Sequence, residues 1–336
     1  MNADGDTPIF SLTDACRAAG TVTPLADRRS RRSLLLWIPV VLAAAVAGWY
    51  AGGAIPCIGV AVVGFVVLSL VLARAGRRRH ALWKAPFPPT YEKLLLRRIP
   101  HYRNLDEAGR ELFRQRAKLF LDEVAFHGVG VKVTDGLRLR AVAAAVVPTL
   151  GFDEWEWPRL KEIIFRPDGY ENGAYEDETG IVTEFEESGM VGTSGAMSGA
   201  MMLSSKDLAW EFAHPEEGVN VGFHEFAHLM AAQGLVLAPK DREEWPGLMQ
   251  SEFARIRRDE SLLDEYALLN EDEFFAVASE LFFTVPRRFR NWHRKLYAVL
   301  TRCYRQDPAA WLDTGEPEPD TPPRRRKRRA KKQPRP

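Results

Sequence analysis

Two histidines four residues apart, in the segment HEFAHLM at 224–230, restrict this chain more than any other feature of its sequence. On an α-helix, residues four apart lie on the same face, so His224 and His228 can direct two imidazoles at one point. Glu225 follows the first histidine, close enough to act on a water molecule there without ligating an ion itself. This H-E-x-x-H arrangement is typical of a zinc site with an adjacent general base. The alternative is an ordinary helix that contains two histidines.

The residues around this motif predict a helix over 219–234. Asn220 lies near its start and Gly234 provides a C-terminal stop. A catalytic zinc ion takes three protein ligands and keeps one position open. The short metzincin spacing would place a third histidine at position 234, which is glycine here. The third ligand must therefore come from another segment.

A second predicted helix, NEDEFFAVASELFFTVP at 270–286, offers two glutamates on one face, Glu273 and Glu280. Glu273 also fits a capping box with Asn270, which would explain it without any metal. Glu280 lies among apolar residues and therefore needs a partner, such as the free N–H of a ligating histidine. Spacing alone leaves the choice of ligand between these two glutamates open.

The stretch 34–73 contains no charged residue and is about twice the length that a single membrane helix requires. Glycines and Pro56 in AGGAIP (51–56) divide it into two predicted spans, 34–51 and 56–73. A signal peptide followed by a buried helix fits less well, because about thirty residues precede the apolar run. Arginines flank both ends, which predicts a multi-pass protein of the inner membrane whose main body faces the cytoplasm. These arginines are Arg28, Arg29, Arg31, Arg32, Arg74, Arg77, Arg78 and Arg79.

Charge is distributed unevenly along the chain. The overall net charge of +1 combines +5 over residues 1–80, +6 over residues 315–336 and about −10 over the rest. An acidic body argues against a core that binds nucleic acid. The basic tail lacks apolar residues and is predicted to be disordered. It either contacts anionic lipid headgroups or is a solvated tail without a specific partner.

The remaining patterns predict an α+β, zincin-like domain with helices around a small mixed sheet. Helical spacing marks 106–126, alternation marks a strand at 131–135 with Asp135 capping the next helix, and further strands are expected at 162–167 and within 187–205. MMLSS (201–205) is either an edge that pairs with an extended peptide or an ordinary edge strand. Three scattered cysteines support neither disulfides nor a thiolate zinc site. The predicted organisation is a cytoplasmic segment 1–33, the membrane hairpin 34–73, a peptidase domain 81–313 and the tail 314–336.

Three further segments, together with HEFAH, resemble the Mlc titration factor A family of zinc-dependent peptidases. They are APFPP (85–89), YALLNEDEFFAVASELFF (266–283) and LYAVLTRCYRQDP (296–308). The metal site of that family is similar to the site in the catalytic domain of anthrax lethal factor. The resemblance covers most of 81–310 and implies a zinc cofactor.

The resemblance also implies roles for particular residues. Glu273, the glutamate before the paired aromatic residues, becomes the third zinc ligand, and Glu280 becomes a residue that supports a ligating histidine. Tyr266 stabilises the oxyanion, although a tyrosine here could instead pack between helices. Ala231 departs from the family pattern, which often has an aspartate there.

These features predict a membrane-anchored zinc peptidase that hydrolyses peptide bonds through a zinc-bound water, with Glu225 as the general base. The type, aminopeptidase or endopeptidase, stays open. The main alternative is a regulatory module that holds a protein partner, such as a transcriptional repressor, at the membrane. A zinc-stabilised domain without turnover is the third. The presence of Glu225 favours the peptidase, because binding alone requires no general base.

Overall fold

The computed structural model describes residues 76–167, 199–235 and 237–315, together with residues 64, 70, 74, 175–176, 182–183 and 190–191. The described residues divide into two compact units, one that ends at Phe87 and one that begins at Pro88. In the first of these units, residues 76–84 are helical. The elements below all belong to the second unit.

Helices make up most of the described part of this second unit. Its α-helices are α1 Pro89–Arg98, α2 Pro100–Asn104, α3 Glu107–Glu123, α4 Asp135–Val146, α5 Ser205–Glu211, α6 Val221–Ala232, α7 Pro239–Arg257, α8 Glu271–Thr284, α9 Pro286–Trp292, α10 Arg294–Tyr304 and α11 Pro308–Trp311. Short 3-10 turns cover Val147–Thr149, Pro215–Glu217 and Glu265–Leu268.

A small sheet accompanies the helices. Its strands are β1 Ala125–Gly128, β2 Glu162–Arg166, β5 Met190–Val191 and β6 Ala200–Ser204, in the spatial order β1-β2-β6-β5. The first three strands in that order run parallel, and β5 pairs antiparallel with β6. A separate hairpin pairs β3, Tyr175–Glu176, with β4, Val182–Thr183. The strand expected at 201–205 is therefore β6, and β5 covers its first two residues, so β6 is not a free edge there.

Close packing between α4 and α6 fixes the helix that carries HEFAH. Residues 139–146 of α4 are buried on every side, because small alanines alternate with valine and leucine in this segment. At Gly222 of α6, an added Cβ would lie 2.7 Å from the Cβ of Ala144 and 2.9 Å from Cδ1 of Leu208. A glycine is thus required for α6 to approach α4 this closely. α6 also packs extensively against α8.

Local predictions had mixed outcomes. The helix expected at 106–126 is α3, and Asp106 caps it by accepting a hydrogen bond from Gly109 N–H at 2.7 Å. The prediction of a strand at 131–135 is wrong. Thr134, not Asp135, caps α4 by accepting from Leu137 N–H, so this polar pair is a helix start. The first strand is instead the short and mostly exposed β1.

The predicted fold class is wrong in two respects. The described chain is mostly helical rather than α+β, since its longest strands have five residues. In the described residues no helix is both long and apolar enough to cross a membrane. The longest helix there, α7, has 19 residues but carries many charges, and the apolar α6 has 12 residues, short of the roughly 20 that a bilayer requires.

The same finding corrects the predicted transmembrane hairpin and the predicted multi-pass inner-membrane localisation. The predicted spans 34–51 and 56–73 lie outside the described residues, apart from Gly64 and Leu70. The predicted segment 1–33 also lies outside them, as does the tail 314–336 apart from Thr314 and Gly315.

Candidate metal centre

The N-terminus of α6 is held by side chains from three elements. Asn220, the N-cap residue, accepts a hydrogen bond from Phe223 N–H at 3.1 Å. Glu211 of α5 accepts from Val221 N–H at 2.5 Å, and Glu280 of α8 accepts from Asn220 N–H at 3.3 Å. These bonds satisfy amide groups that a helix start leaves unpaired, and two carboxylates also complement the helix dipole. The start of the histidine helix is therefore fixed from both sides.

The end of α6 follows the sequence prediction. Gly234 adopts a positive φ of 100°, a conformation that glycine adopts readily. Leu235 N–H then donates to the carbonyl of Met230 at 2.9 Å, which closes the last turn. The helix predicted over 219–234 is thus confirmed as α6, Val221–Ala232.

Three side chains converge at one point beside α6. The Nε2 atoms of His224 and His228 are 3.1 Å apart, and Oε2 of Glu273 lies 3.0 Å from the first and 3.4 Å from the second. His224 is 4% exposed, and the other two residues are partly exposed. Two elements therefore contribute three ligand atoms to one small triangle that remains accessible on one side.

This triangle fits a metal ion. Around a tetrahedral zinc with bonds of about 2.0–2.1 Å, neighbouring ligand atoms are roughly 3.3–3.4 Å apart, close to the separations found here. Oε2 of Glu273 is buried and lacks a hydrogen-bond partner, which an ion at the centre of the triangle would supply. Two imidazole nitrogens and one carboxylate oxygen are also a ligand set that zinc prefers. In the described part of the chain, His224, His228 and Glu273 are the group that could hold a metal.

Glu280 contacts the other nitrogen of His224. Its Oε1 lies 2.5 Å from Nδ1 of His224, and both side chains are almost fully buried. A carboxylate here accepts a hydrogen bond from Nδ1–H, which leaves Nε2 with its lone pair facing the triangle. The second oxygen accepts from Asn220 N–H, so one carboxylate fixes both the histidine tautomer and the start of α6.

Glu273 combines a helix-capping position with the triangle. Its backbone N–H donates to Oδ1 of Asn270 at 2.8 Å, as the capping pattern predicts, but its carboxylate faces the histidines. Burial raises the pKa of this carboxyl, but the two histidines beside Oε2 outweigh that effect and hold the pKa well below its ordinary value. Glu273 is therefore an anion at the triangle over the usual pH range.

Tyr266 reaches the triangle from the 3-10 turn Glu265–Leu268. Asp264 caps that turn by accepting from Tyr266 N–H at 2.9 Å. The phenol O–H donates to Oε1 of Glu273 at 3.3 Å, and the ring lies 5.8 Å from the His224 ring between centroids. The hydroxyl of Tyr266 therefore contacts a carboxylate of the triangle.

Glu225 and Ala231 complete the predicted positions on α6. Glu225 is 3% exposed and lies about 100° around the helix from His224. Ala231 is exposed, and its methyl side chain offers no hydrogen-bond acceptor where the family pattern often has an aspartate.

Two buried residues of this region were not predicted from the sequence. Glu211 holds the start of α6, although nothing in its segment WEFAHPEEG distinguishes it from a surface glutamate. His101 of α2 packs its ring against Phe223 and donates from Nε2 to the carbonyl of Phe283 at 2.6 Å. Burial lowers the pKa of His101 to about 4, so this histidine is neutral.

Comparison with known proteins agrees with this geometry. Residues 73–305 match the profile of the glucose-regulated metallo-peptidase M90 family. The chain is 30% identical over 244 residues to an uncharacterized protein of Synechocystis sp., covering 69% of this chain and 89% of that protein. It is 26% identical over 200 residues to Mlc titration factor A of Serratia proteamaculans (54% and 74% covered) and 27% identical over 218 residues to that of Salmonella arizonae (60% and 82% covered).

These relatives confirm the resemblance drawn from the sequence motifs. The matched region contains α6, the turn with Tyr266 and α8, and a metallopeptidase family implies a bound metal ion. The chain belongs to the glucose-regulated metallo-peptidase M90 family.

Proposed function

We propose that this protein is a zinc-dependent peptidase that hydrolyses peptide bonds. The observation that carries the proposal is the triangle of His224 Nε2, His228 Nε2 and Glu273 Oε2, with separations of 3.0–3.4 Å. These three atoms would hold the zinc ion. When bound, zinc supplies a Lewis acid that polarises the substrate carbonyl and activates a water molecule.

The proton transfers belong to Glu225. Its carboxylate takes a proton from the attacking water and delivers it to the amine that leaves. Its position directly after His224, in the H-E-x-x-H arrangement on the same helix, supports this role.

Tyr266 acts on the charge that forms on the carbonyl oxygen. Its O–H, now directed to Glu273 Oε1 at 3.3 Å, can rotate to donate to the oxyanion when substrate is bound. Glu280 keeps the proton of His224 on Nδ1 and so keeps Nε2 available as a ligand.

A peptide-library digest tests the proposal. The full-length protein is incubated with the library, with and without a zinc chelator, and cleavage products are identified by mass spectrometry. We expect cleavage that the chelator abolishes. Glu225→Gln keeps the shape of the side chain but removes the base, so its zinc content should match the wild type while the rate falls by at least ~10²-fold. Full activity of this variant, or no cleavage by the wild type, would contradict the proposal.

A protein-binding role is the second candidate. Relatives carry the name Mlc titration factor A, which describes proteins that titrate another factor. A chain that only binds a protein partner would not depend on Glu225. The test is complementation of a strain that lacks the gene. If Glu225→Gln restores its phenotype as well as the wild type does, binding is favoured over hydrolysis.

A further inference from the structure

A largely buried polar cluster contacts the backbone of the segment that leads to Tyr266. It consists of Glu252 and Arg255 of α7 and His293, the residue between α9 and α10. The side chain of His293 is 0% exposed and that of Glu252 is 6% exposed. Ionisable groups are rarely buried without a structural or functional reason.

His293 uses both ring nitrogens. Nδ1 lies 2.7 Å from Oε2 of Glu252, so Nδ1–H donates to this carboxylate. Nε2 then has a free lone pair and accepts from the backbone N–H of Leu262 at 3.1 Å. Burial lowers the pKa of His293 and the charge of Glu252 only partly offsets this, so the neutral tautomer is the stable one.

Arg255 fixes the same stretch of backbone. It pairs with Glu252 at 3.2 Å and donates to the carbonyls of Trp292 at 2.8 Å and Glu260 at 3.0 Å. His293 and Arg255 thus bond the main chain at positions 262 and 260. Both positions belong to the segment 258–268, which we call the tyrosine loop, because it ends in the turn that carries Tyr266.

The tyrosine loop needs such support. Asp259 has a positive φ of 62°, which is uncommon for a residue other than glycine. Asp264 orders the start of the turn itself: its side chain accepts from Tyr266 N–H at 2.9 Å and its carbonyl accepts from Ala267 N–H at 3.2 Å. Between Leu262, which His293 contacts, and the turn that carries Tyr266, the chain is thus short and irregular, and the cluster holds its backbone.

We propose that His293 is a positioning residue for Tyr266: its bond to Leu262 N–H, backed by Glu252 and Arg255, sets where the phenol O–H lies relative to the metal triangle. This extends the proposed function and rests on it, since it assigns Tyr266 a role in hydrolysis. A structural role alone would stabilise the junction of α7, α9 and α10 without any specific effect on Tyr266.

Two substitutions separate the two ring nitrogens. Asparagine places its amide at about the position of Nδ1, so His293→Asn can still bond Glu252 but cannot reach Leu262. Glutamine reaches to about the position of Nε2, so His293→Gln can accept from Leu262 N–H. Tyr297→Phe is the matched control, because it removes a hydroxyl of α10 that donates to Asp307 and accepts from Ala309 N–H, neither of which belongs to the tyrosine loop.

Hydrogen exchange tests the contact without requiring activity. In the full-length protein, His293→Asn should speed amide exchange in residues 258–268 by ~10-fold or more, while α6 exchanges as in the wild type. His293→Gln should restore most of the protection, and Tyr297→Phe should lower the melting temperature without faster exchange in the loop. Unchanged exchange in His293→Asn would overturn the proposal.

A double-mutant cycle tests the consequence, with the peptide that the wild type cleaves fastest as substrate. His293→Asn should lower kcat by up to ~10²-fold, since a displacement of about 1 Å can cost that much, with zinc content and KM little changed. In a Tyr266→Phe background the same substitution should have little further effect, whereas Tyr297→Phe should be additive. Additive effects of His293→Asn and Tyr266→Phe would overturn the proposal. If hydrolysis is absent or independent of Glu225, the proposed function fails, and the exchange experiment still decides whether His293 holds the loop.

Discussion

Glu280 joins the histidine helix to α8, and its replacement by glutamine provides a quantitative test of that link. Glu280 is 1% exposed and accepts from His224 Nδ1–H at 2.5 Å and from Asn220 N–H at 3.3 Å. Glutamine has the same size but a single acceptor oxygen. Whichever donor that oxygen serves, the amide NH2 faces the other donor, so one buried N–H loses its acceptor.

The structure sets the scale of the effect. An unsatisfied buried donor costs ~1–3 kcal/mol, and each kcal/mol lowers the melting temperature of a domain of this size by roughly 2–4 °C. We therefore expect Glu280→Gln to melt about 2–12 °C below the wild type when both are metal-free. Because His224 loses its fixed tautomer, zinc affinity should fall by ~10–100-fold.

Thermal unfolding in excess chelator and a competitive zinc titration measure the two quantities. Tyr304→Phe is the matched control. The O–H of Tyr304 donates at 2.8 Å to Ser279, the neighbour of Glu280 on α8, and does not contact the metal triangle. This control should melt earlier and keep wild-type zinc affinity. A Glu280→Gln variant with wild-type stability and affinity would refute the reasoning, and so would an equal loss of affinity in Tyr304→Phe.

Three further outcomes are expected. Gly222→Ala should destabilise the protein by ~1–3 kcal/mol, because its Cβ would overlap Ala144. Gly247→Ala, in open space within α7, should instead stabilise it by ~0.5–1 kcal/mol. Chemical denaturation measures both changes. Burial lowers the pKa of His101 to about 4, so between pH 6.5 and 4 the unfolded chain binds more protons at this histidine than the folded chain does. Stability should fall by roughly 3 kcal/mol as the pH drops through that window, and urea titrations of His101→Gln should show a smaller fall. Tyr266→Phe should lower kcat by ~10²–10³-fold with unchanged zinc content; wild-type kcat in steady-state assays would leave no role for the hydroxyl.

Sequence patterns predicted the elements of the metal centre well. Asn220 and Gly234 marked the ends of α6, and Asn270 marked the start of α8, because capping depends on local chemistry. The pattern at 131–135 failed because Thr134 starts a helix there. The uncharged stretch 34–73 predicted membrane helices from apolar length alone, and no membrane-crossing helix is found among the described residues.

Periodicity could not choose between Glu273 and Glu280, and the geometry explains why. The two carboxylates are seven residues apart on one face of α8, and they contact opposite nitrogens of the same imidazole. Glu273 Oε2 lies 3.0 Å from Nε2 of His224, and Glu280 Oε1 lies 2.5 Å from Nδ1. Contacts between distant segments, such as Glu211 with α6 or His293 with the tyrosine loop, have no comparable sequence signal because they depend on tertiary packing.

The most direct test of the metal centre is equilibrium zinc binding by the full-length protein and two glutamate variants. Glu273→Gln removes a proposed ligand, and Glu271→Gln removes an exposed carboxylate of the same helix turn and serves as the control. We expect about one zinc per chain for the wild type and for Glu271→Gln, and loss of most of the zinc from Glu273→Gln, with the three proteins equally folded by circular dichroism. Full zinc content in Glu273→Gln, at wild-type affinity, would contradict the three-ligand site on which the account depends.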